Sequence, residues 1–398
     1  DDSVTFLGWT TAETNYIRVF TPASEDEAGV SQRHSGIWDT GYRRTDQLQI
    51  RQQYLRLDGI SMRVSSGTRC LAVTELENGG DIRISNCFLW GTSAFGGDTV
   101  DVWSNEEITV RIWNTIAIAD STDAGSEAFH FNTNLATFVV YNNTGISNGG
   151  EAFFLNEGSM YLKNNLGYSY GTGAAFSEDG PAHASVEYCA SDDDTADDWG
   201  GSGNRIDQTF SFACLGEDDF HITEDDTSVR NYGTDLSSEL SLSFSTDISG
   251  TGRPQEGGWD IGADETPAVI YRSVGAGSTD ALDAGSDSGG NDLTISGQTA
   301  TFSLSVNLTV GVGDVLEYDS DDNGSLDSLA FISSRVTNRE YGLRSLTGST
   351  PRQCAAADQD WQIFRAYTSL VNAEAGTENT GPSLFGDTAA DLNAAGGV

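Results

Sequence analysis

Lysine is almost missing. The chain has 20 basic residues, of which only Lys163 is a lysine, against 60 Asp and Glu, and the net charge is −40. A surface of that sign repels nucleic acid and anionic lipid, so neither is expected as a partner. It suits divalent cations or concentrated salt, where self-repulsion is screened. Acidic, lysine-poor chains of this kind are similar to proteins of saline surroundings. No apolar run approaches the roughly 18 residues of a membrane span, which leaves no candidate for membrane insertion. The first residues show no n-region and h-region, so a mature form or an excised fragment is expected. Proline is scarce at 6 residues while glycine reaches 46, and 37% of the residues are hydrophobic. That balance excludes a disordered chain and points to β structure with many tight turns.

The five cysteines, Cys70, Cys87, Cys189, Cys214 and Cys354, show no CxxC or CxxCH spacing, which argues against a zinc ribbon or c-type haem. Cys70 with Cys87 and Cys189 with Cys214 are close enough to staple loops, leaving Cys354 over. There is no GxSxG, and His34, His130, His183 and His221 are scattered. Nothing selects one carboxylate pair for glycoside hydrolysis, so no catalytic residue is named and a non-enzymatic protein is expected.

What is present is a repeat. The segments YLRLDGI, DIRISNC, TVRIWNT, TFVVYNN, SMYLKNN and HASVEYC superimpose, and their sixth positions are Gly59, Asn86, Asn114, Asn142, Asn164 and Tyr188. The spacings are 27, 28, 28, 22 and 24 residues, a period that signals a solenoid. Apolar residues alternate within each segment, as in Ile82/Ile84 and Val110/Ile112, so each is a strand with one buried face. A fainter register, DTVDVWSN, EAFHFNTN and EAFFLNEG, adds a second strand per coil. Stacked coils predict a parallel β-helix with an asparagine ladder of Asn86, Asn114, Asn142 and Asn164, whose amides bond along the stack. The NNT sequon at 142–144 falls on that ladder, which argues against glycosylation there.

These repeats, with GWTTAETNYIRVFTP and SQRHSGIWD near the start and RPQEGGWDIGADE at 253–265, resemble right-handed parallel β-helix proteins of the pectate-lyase-like, bacterial surface or extracellular type. The resemblance covers about residues 1–265. It implies an extracellular or cell-surface location, and it says little about activity.

Residues 267–350 lack the period. AVIYRSVG, DLTISGQTATFSLSV, GVGDVLEYD, LAFISSRV and EYGLRSL read as short strands with hairpin spacing, so a small antiparallel β-barrel or sandwich is expected. Residues 351–398 read as a linker and a connector: the strand Trp361 to Tyr367, then a helical turn over 369–375. The expected organisation is therefore all-β, with a parallel β-helix over 1–266, a small β domain over 267–350 and a strand-plus-short-helix connector.

Two further sets of residues can carry chemistry. In DSDDNGSLD, Asp319, Asp321, Asn323, Ser325 and Asp327 fall at positions 1, 3, 5, 7 and 9 of an EF-hand-like loop, with Gly324 at the turn. Oxygen ligands suit a structural Ca²⁺, although Ala330 stands where the bidentate Glu belongs. Arg56, Arg83 and Arg111 take the same outward position on three coils, a like-charge ladder that needs anions. The resembling enzymes attack acidic glycans from one sheet, so this ladder is the candidate glycan or anion site.

The connector sets the functional expectation. In the resembling surface proteins a stretch like RAYTSLVNAEAG comes shortly before one like VTFLGWTT, and here the order is reversed. A bare first coil exposes apolar core and unpaired backbone. Trp361, Ile363, Phe364, Tyr367 and Leu370 would cover Phe6 and Trp9 of the next copy by strand addition. Such a heterologous contact does not close and propagates into a filament. The alternatives are that the segment folds back on its own first coil, or that the chain is cut from a longer tandem protein in which the same contact is covalent. The expected protein is thus a structural extracellular homopolymer, the alternative being a secreted protein that binds or degrades acidic polysaccharide.

Overall fold

The computed structural model describes the chain from Asp2 to Tyr367, apart from residues 24–25, 28–31, 39, 66–68, 77–78, 93–96, 105, 180–182, 215–217, 224–225, 256, 267–270, 273–280, 287–289, 321–323, 325, 327, 346–349 and 353–359. The chain divides into two units, Asp1–Thr266 and Pro267–Val398. The described residues are all-β, and no helix among them is long and apolar enough to cross a membrane.

The first unit is a parallel β-helix with three faces. The first face stacks Val4–Phe6, Leu48–Ile50, Arg69–Thr74, Asp98–Trp103, the leading halves of Phe129–Tyr141 and Phe153–Lys163, and Phe176–Glu178. The second stacks Ile17–Phe20, Leu55–Asp58, Gly80–Ser85, Ile108–Trp113, the trailing halves of the same two long strands, and His183–Glu187. The third holds seven strands, from Arg43–Arg44 through Phe88–Gly91 and Ile116–Ala119 to Ala190–Ser191. Register is in phase along the stack: Leu55 pairs Ile82, Ile82 pairs Val110, Val110 pairs Phe138, and Phe138 pairs Met160. Each inward apolar side chain therefore lies on its counterpart one coil away, and one continuous core results. Each such burial contributes about 1.5–3 kcal/mol.

The bend from the second to the third face explains the repeated sixth position. Gly59, Asn86, Asn114, Asn142, Asn164 and Tyr188 all have positive φ, between 49° and 73°. Asparagine and glycine tolerate that left-handed conformation best. At Gly59 a Cβ would also strike the Arg33 guanidinium. The ladder is made of two pairs. Asn114 donates to Asn86 Oδ1 at 3.2 Å and Asn164 to Asn142 Oδ1 at 3.0 Å. Between them it is interrupted, because the Asn142 amide instead donates to the carbonyls of Asp260 and Gly262.

A second ladder lies one residue further on, turned inward. Thr115 N–H donates to Asn143 Oδ1 at 3.0 Å, and Asn143 N–H donates to Asn165 Oδ1 at 3.0 Å. The two side-chain amides also reach the carbonyls of Ile112, Tyr141 and Val140. Both asparagines are fully buried, so their groups have no water to fall back on. Asn165→Ala is expected to cost about 2–3 kcal/mol, read as a shift of the urea midpoint.

The last coil is closed by the chain itself. Residues 192–206 fold over it, with the turn Thr195–Asp197, buried Ala196 and Trp199 edge-on to Phe176 at 6.4 Å. The chain then returns along the outside of the second and third faces. Phe220, Ile248 and Ala263 pack on Phe88, Trp90, Ile116, Ile118 and Ile146. Leu236, Leu242 and Trp259 pack on Val139 and Tyr141.

The second unit is an antiparallel, barrel-like sheet. Trp361–Tyr367 lies inside it, between Asp314–Tyr318 on one edge and Tyr271–Arg272 with Asp283–Gly285 on the other. This corrects the reading of that strand as a connector. Both backbone edges are taken, Trp361, Ile363 and Phe364 are buried in this unit, and Trp361 Nε1 donates to Asn291 O at 2.6 Å. Tyr367 pairs Tyr271 through its backbone. Leu370 and the turn over 369–375 lie outside the described residues.

The expected cysteine pairs are also corrected. Cys70, Cys87 and Cys189 are free and buried. Cys87 and Cys189 sit one residue beyond Asn86 and Tyr188, in the inner ladder, where Asn165 N–H donates to Cys189 Sγ at 3.4 Å. Burial pushes all three thiols up to about 12, which leaves them unreactive.

Candidate functional site

Three features of the first unit carry polar chemistry or an open edge, and one loop of the second unit carries acidic residues. On the first face, Asp98 and Asp101 share a strand, and His130 pairs with Asp101 in the next coil. His130 Nδ1 lies 2.9 Å from Asp98 Oδ2 and 3.5 Å from Asp101 Oδ1, with its ring stacked on Phe154 at 5.2 Å. Asp98, Asp101 and Glu127 are buried, and Arg69 pairs with Asp101. Burial, then the Asp98 carboxylate, raise Glu127 far above the usual range. Burial alone would raise Asp98 too, but hydrogen bonds with His130 and Glu127 outweigh it and hold Asp98 below its ordinary value. The two carboxyls are hydrogen-bonded to each other, with Glu127 the member shifted toward the protonated form and Asp98 the member shifted toward the ionised form. One ligand atom each from Asp98, Glu127 and His130 lies within 4.8 Å of the others. That oxygen–nitrogen set matches a transition ion better than Ca²⁺. The sequence signal was available: two i, i+3 pairs, Asp98/Asp101 and Glu127/His130, in segments that align as the fainter register.

On the second face the arginine ladder has four rungs. Arg18 pairs with Arg56, Arg56 with Arg83 and Arg83 with Arg111. Arg18 was missed because its strand, IRVF, is short and lacks the bend asparagine. Arg18 meets Glu27 at 3.4 Å and Asp58 at 3.7 Å, while Arg83 and Arg111 share Asp81. Arg56 lies over the Tyr16 ring at 3.4 Å and has no carboxylate partner among the described residues. Arg111 also donates to Ser241 O at 3.0 Å, where the returning chain crosses the face.

Residues 319–327 connect Asp314–Tyr318 to Ser328–Arg335, two strands that pair antiparallel. Asp319 is buried and its Oδ2 accepts Gly324 N–H at 2.6 Å. Asp321, Asn323, Ser325 and Asp327 lie outside the described residues.

The first coil differs from the last. Val4–Phe6, Ile17–Phe20 and Arg43–Arg44 each pair on one side only among the described residues. Phe6, Ile17 and Val19 pack against the core but are only partly buried, while Leu7 (45%), Trp9 (65%) and Tyr16 (38%) are exposed nearby. Gln52 fixes Trp9 in place, accepting its N–H at 2.7 Å and donating to its carbonyl at 2.9 Å. No family model, curated protein or solved structure matches the chain, so the fold and these sites stand on their own geometry.

Proposed function

We propose that the protein is a structural, non-catalytic, extracellular rod of the right-handed pectate-lyase-like type, joined end to end with other copies of itself in a saline setting. The observation that carries this reading is the contrast between the two ends of the β-helix. One end is sealed by residues 192–206, whereas the other offers three strand edges and an apolar surface that no described residue covers. An open edge of this kind invites a partner strand or cap. The occupant proposed is residues 368–398 of the neighbouring copy. Trp361–Tyr367 is committed to its own sheet, so the joining segment begins after it. Residues 368–398 are long enough to form one coil and carry Leu370, Val371, Leu384 and Phe385 for the apolar surface.

A catalytic reading is less favoured. Asp98 and Glu127 are hydrogen-bonded to each other, whereas glycoside hydrolysis needs carboxyl groups about 5–9.5 Å apart with the sugar between them. Calcium at the 319–327 hairpin fits the same structural role.

The test is assembly. Full-length protein is expected to form linear particles by electron microscopy, and a chain lacking residues 368–398 is expected to stay monomeric. Phe6→Asp is expected to block assembly from the other side. Mixing the truncated chain with Phe6→Asp then gives dimers and nothing longer, because each contributes one working end. Filaments from the truncated chain, or a monomeric full-length protein, would overturn the proposal. Titration calorimetry is expected to show calcium heat that Asp321→Ala removes; equal heats from both proteins exclude the hairpin as the site.

A further inference from the structure

The second unit carries an apolar surface of its own. Between Thr299–Phe302 and Asp314–Tyr318, Val306 and Val310 are buried, while Leu304 (54%) and Leu308 (73%) are exposed. Val336 (62%) is exposed in the turn between Ser328–Arg335 and Glu340–Arg344. These two connections are tied together. Val306 N–H donates to Asn338 O at 2.8 Å, and Arg335 Nη1 donates to Leu308 O at 3.2 Å and Val310 O at 3.3 Å. Leu304, Leu308 and Val336 therefore share one end of the sheet, and no described residue covers them.

The chain leaves the second unit at that same end. Arg365 pairs with Asp314, the first residue of its strand, and its Nε meets Asp314 Oδ1 at 3.2 Å. Arg365 Nη2 also donates to Thr309 O at 3.3 Å, next to Leu308. Successive coils of the β-helix take 22–28 residues, so a coil formed within the 31 residues 368–398 begins at most nine residues after Tyr367. Each residue spans at most about 3.6 Å, which puts this apolar end within about 30 Å of the coil that the segment completes.

We propose that this end of the second unit docks beside the open first coil of a second copy, with Leu304, Leu308 and Val336 against that copy's Leu7 and Trp9. The inference rests on residues 368–398 being the joining segment, and it adds a second contact to theirs. The joining segment covers Phe6, Ile17 and Val19, which pack against the core. Leu7 and Trp9 lie in the connection between those strands and stay exposed. Trp9 is the anchor, because its backbone is held on both sides by Gln52. A prefixed, exposed tryptophan loses little freedom on binding and buries a large area. Each surface also has an exposed charge with no ion pair among the described residues, Arg339 on one and Glu13 on the other, and the signs match. Three apolar side chains fall far short of the roughly 800 Å² per partner of a stable interface. Docking therefore strengthens the joint and does not replace the segment.

The experiment is sedimentation equilibrium, at fixed high salt, of the dimer between the chain lacking residues 368–398 and Phe6→Asp. Leu308→Ser with Val336→Ser in the Phe6→Asp chain is expected to weaken that dimer at least about tenfold, with an unchanged thermal transition. Leu304→Ser serves if the double substitution does not fold. The same substitutions in the truncated chain are expected to change nothing, because its apolar end faces no copy in this dimer. Trp9→Ser in the truncated chain is expected to weaken the dimer comparably. Combining it with Leu308→Ser and Val336→Ser in the Phe6→Asp chain should add little, as for groups in contact. An unchanged dimer from a folded variant, equal weakening from either chain, or additive losses with Trp9→Ser overturns the docking and leaves the joining role of 368–398 standing. No dimer from the unsubstituted pair overturns that role and the docking with it.

Discussion

Phe153→Ala is expected to destabilise the first unit by about 3–5 kcal/mol, among the largest effects of any single truncation in the β-helix. Phe129, Phe153 and Phe176 stand on three consecutive first-face strands and are paired in register. Their rings stack with centroids 4.9 Å apart on both sides of Phe153, at interplanar angles of 7° and 6°. Phe153 is 1% exposed, and its ring also lies against Gly145, where an added Cβ would come within 2.8 Å. The backbone on each side is pinned by ladder hydrogen bonds, so neighbouring coils cannot close in on the void. The cost is then that of transfer plus an unrelaxed cavity, together with the loss of two ring contacts of about 0.5–1.5 kcal/mol each. Phe154→Ala provides the control. It sits next door, points outward and touches the His130 ring, so its loss is expected to cost less than half as much. Urea unfolding of both variants checks this, and equal costs would mean that the stack does not hold the coils.

What was legible in the sequence was what repeats at the same place in every coil. Inward Leu, Ile, Val and Phe return at each turn because each packs on its own equivalent, and the left-handed bend returns as Asn or Gly because few other residues tolerate it. The third face was invisible. FLWG and IAIA show no alternation, because the returning chain buries their outer sides as completely as the core buries their inner sides. The inner ladder was missed because Thr115 and Asn143 differ in type while playing one role. The alternation of Trp361 and Ile363 correctly gave a strand with a buried face. It did not say against what, since strand pairing is decided by residues nearly a hundred positions away, such as Tyr271. The four-rung arginine row needed register, which three segments supplied and the fourth concealed.

The closing stretch of the β-helix resembled a familiar ending, and its chemistry explains why such a stretch should carry both an arginine and several acids. Arg253 and Glu265 are buried to 0% and 1% exposure and meet at 2.8 Å. The same guanidinium donates to the carbonyls of Asp260, Gly262 and Asp264 at 3.0–3.2 Å, gathering the stretch 260–265 around one side chain. Removing it strands a buried carboxylate, so Arg253→Met is expected to cost about 3–5 kcal/mol at pH 8. Burial pushes Glu265 up to about 7 even with Arg253 beside it. A carboxyl raised in the folded state takes up its proton before the unfolded chain does. The stability this gives is complete below the ordinary value of 4.5 and is lost as pH rises through about 7. Without the arginine the carboxyl rises further, so the penalty of Arg253→Met is expected to shrink markedly at pH 5, and Glu265→Gln in the same chain should restore part of it at pH 8. His221 works in the same direction. Burial alone would lower it, but Asp264 and Asp219 outweigh that and hold it up to about 10. Its contribution is complete below about 6.5 and lost as pH rises through about 10. The wild-type urea midpoint, measured at fixed high salt, is therefore expected to fall between pH 5 and pH 10. A midpoint that is flat or rises over that range would mean that these buried groups do not titrate against folding.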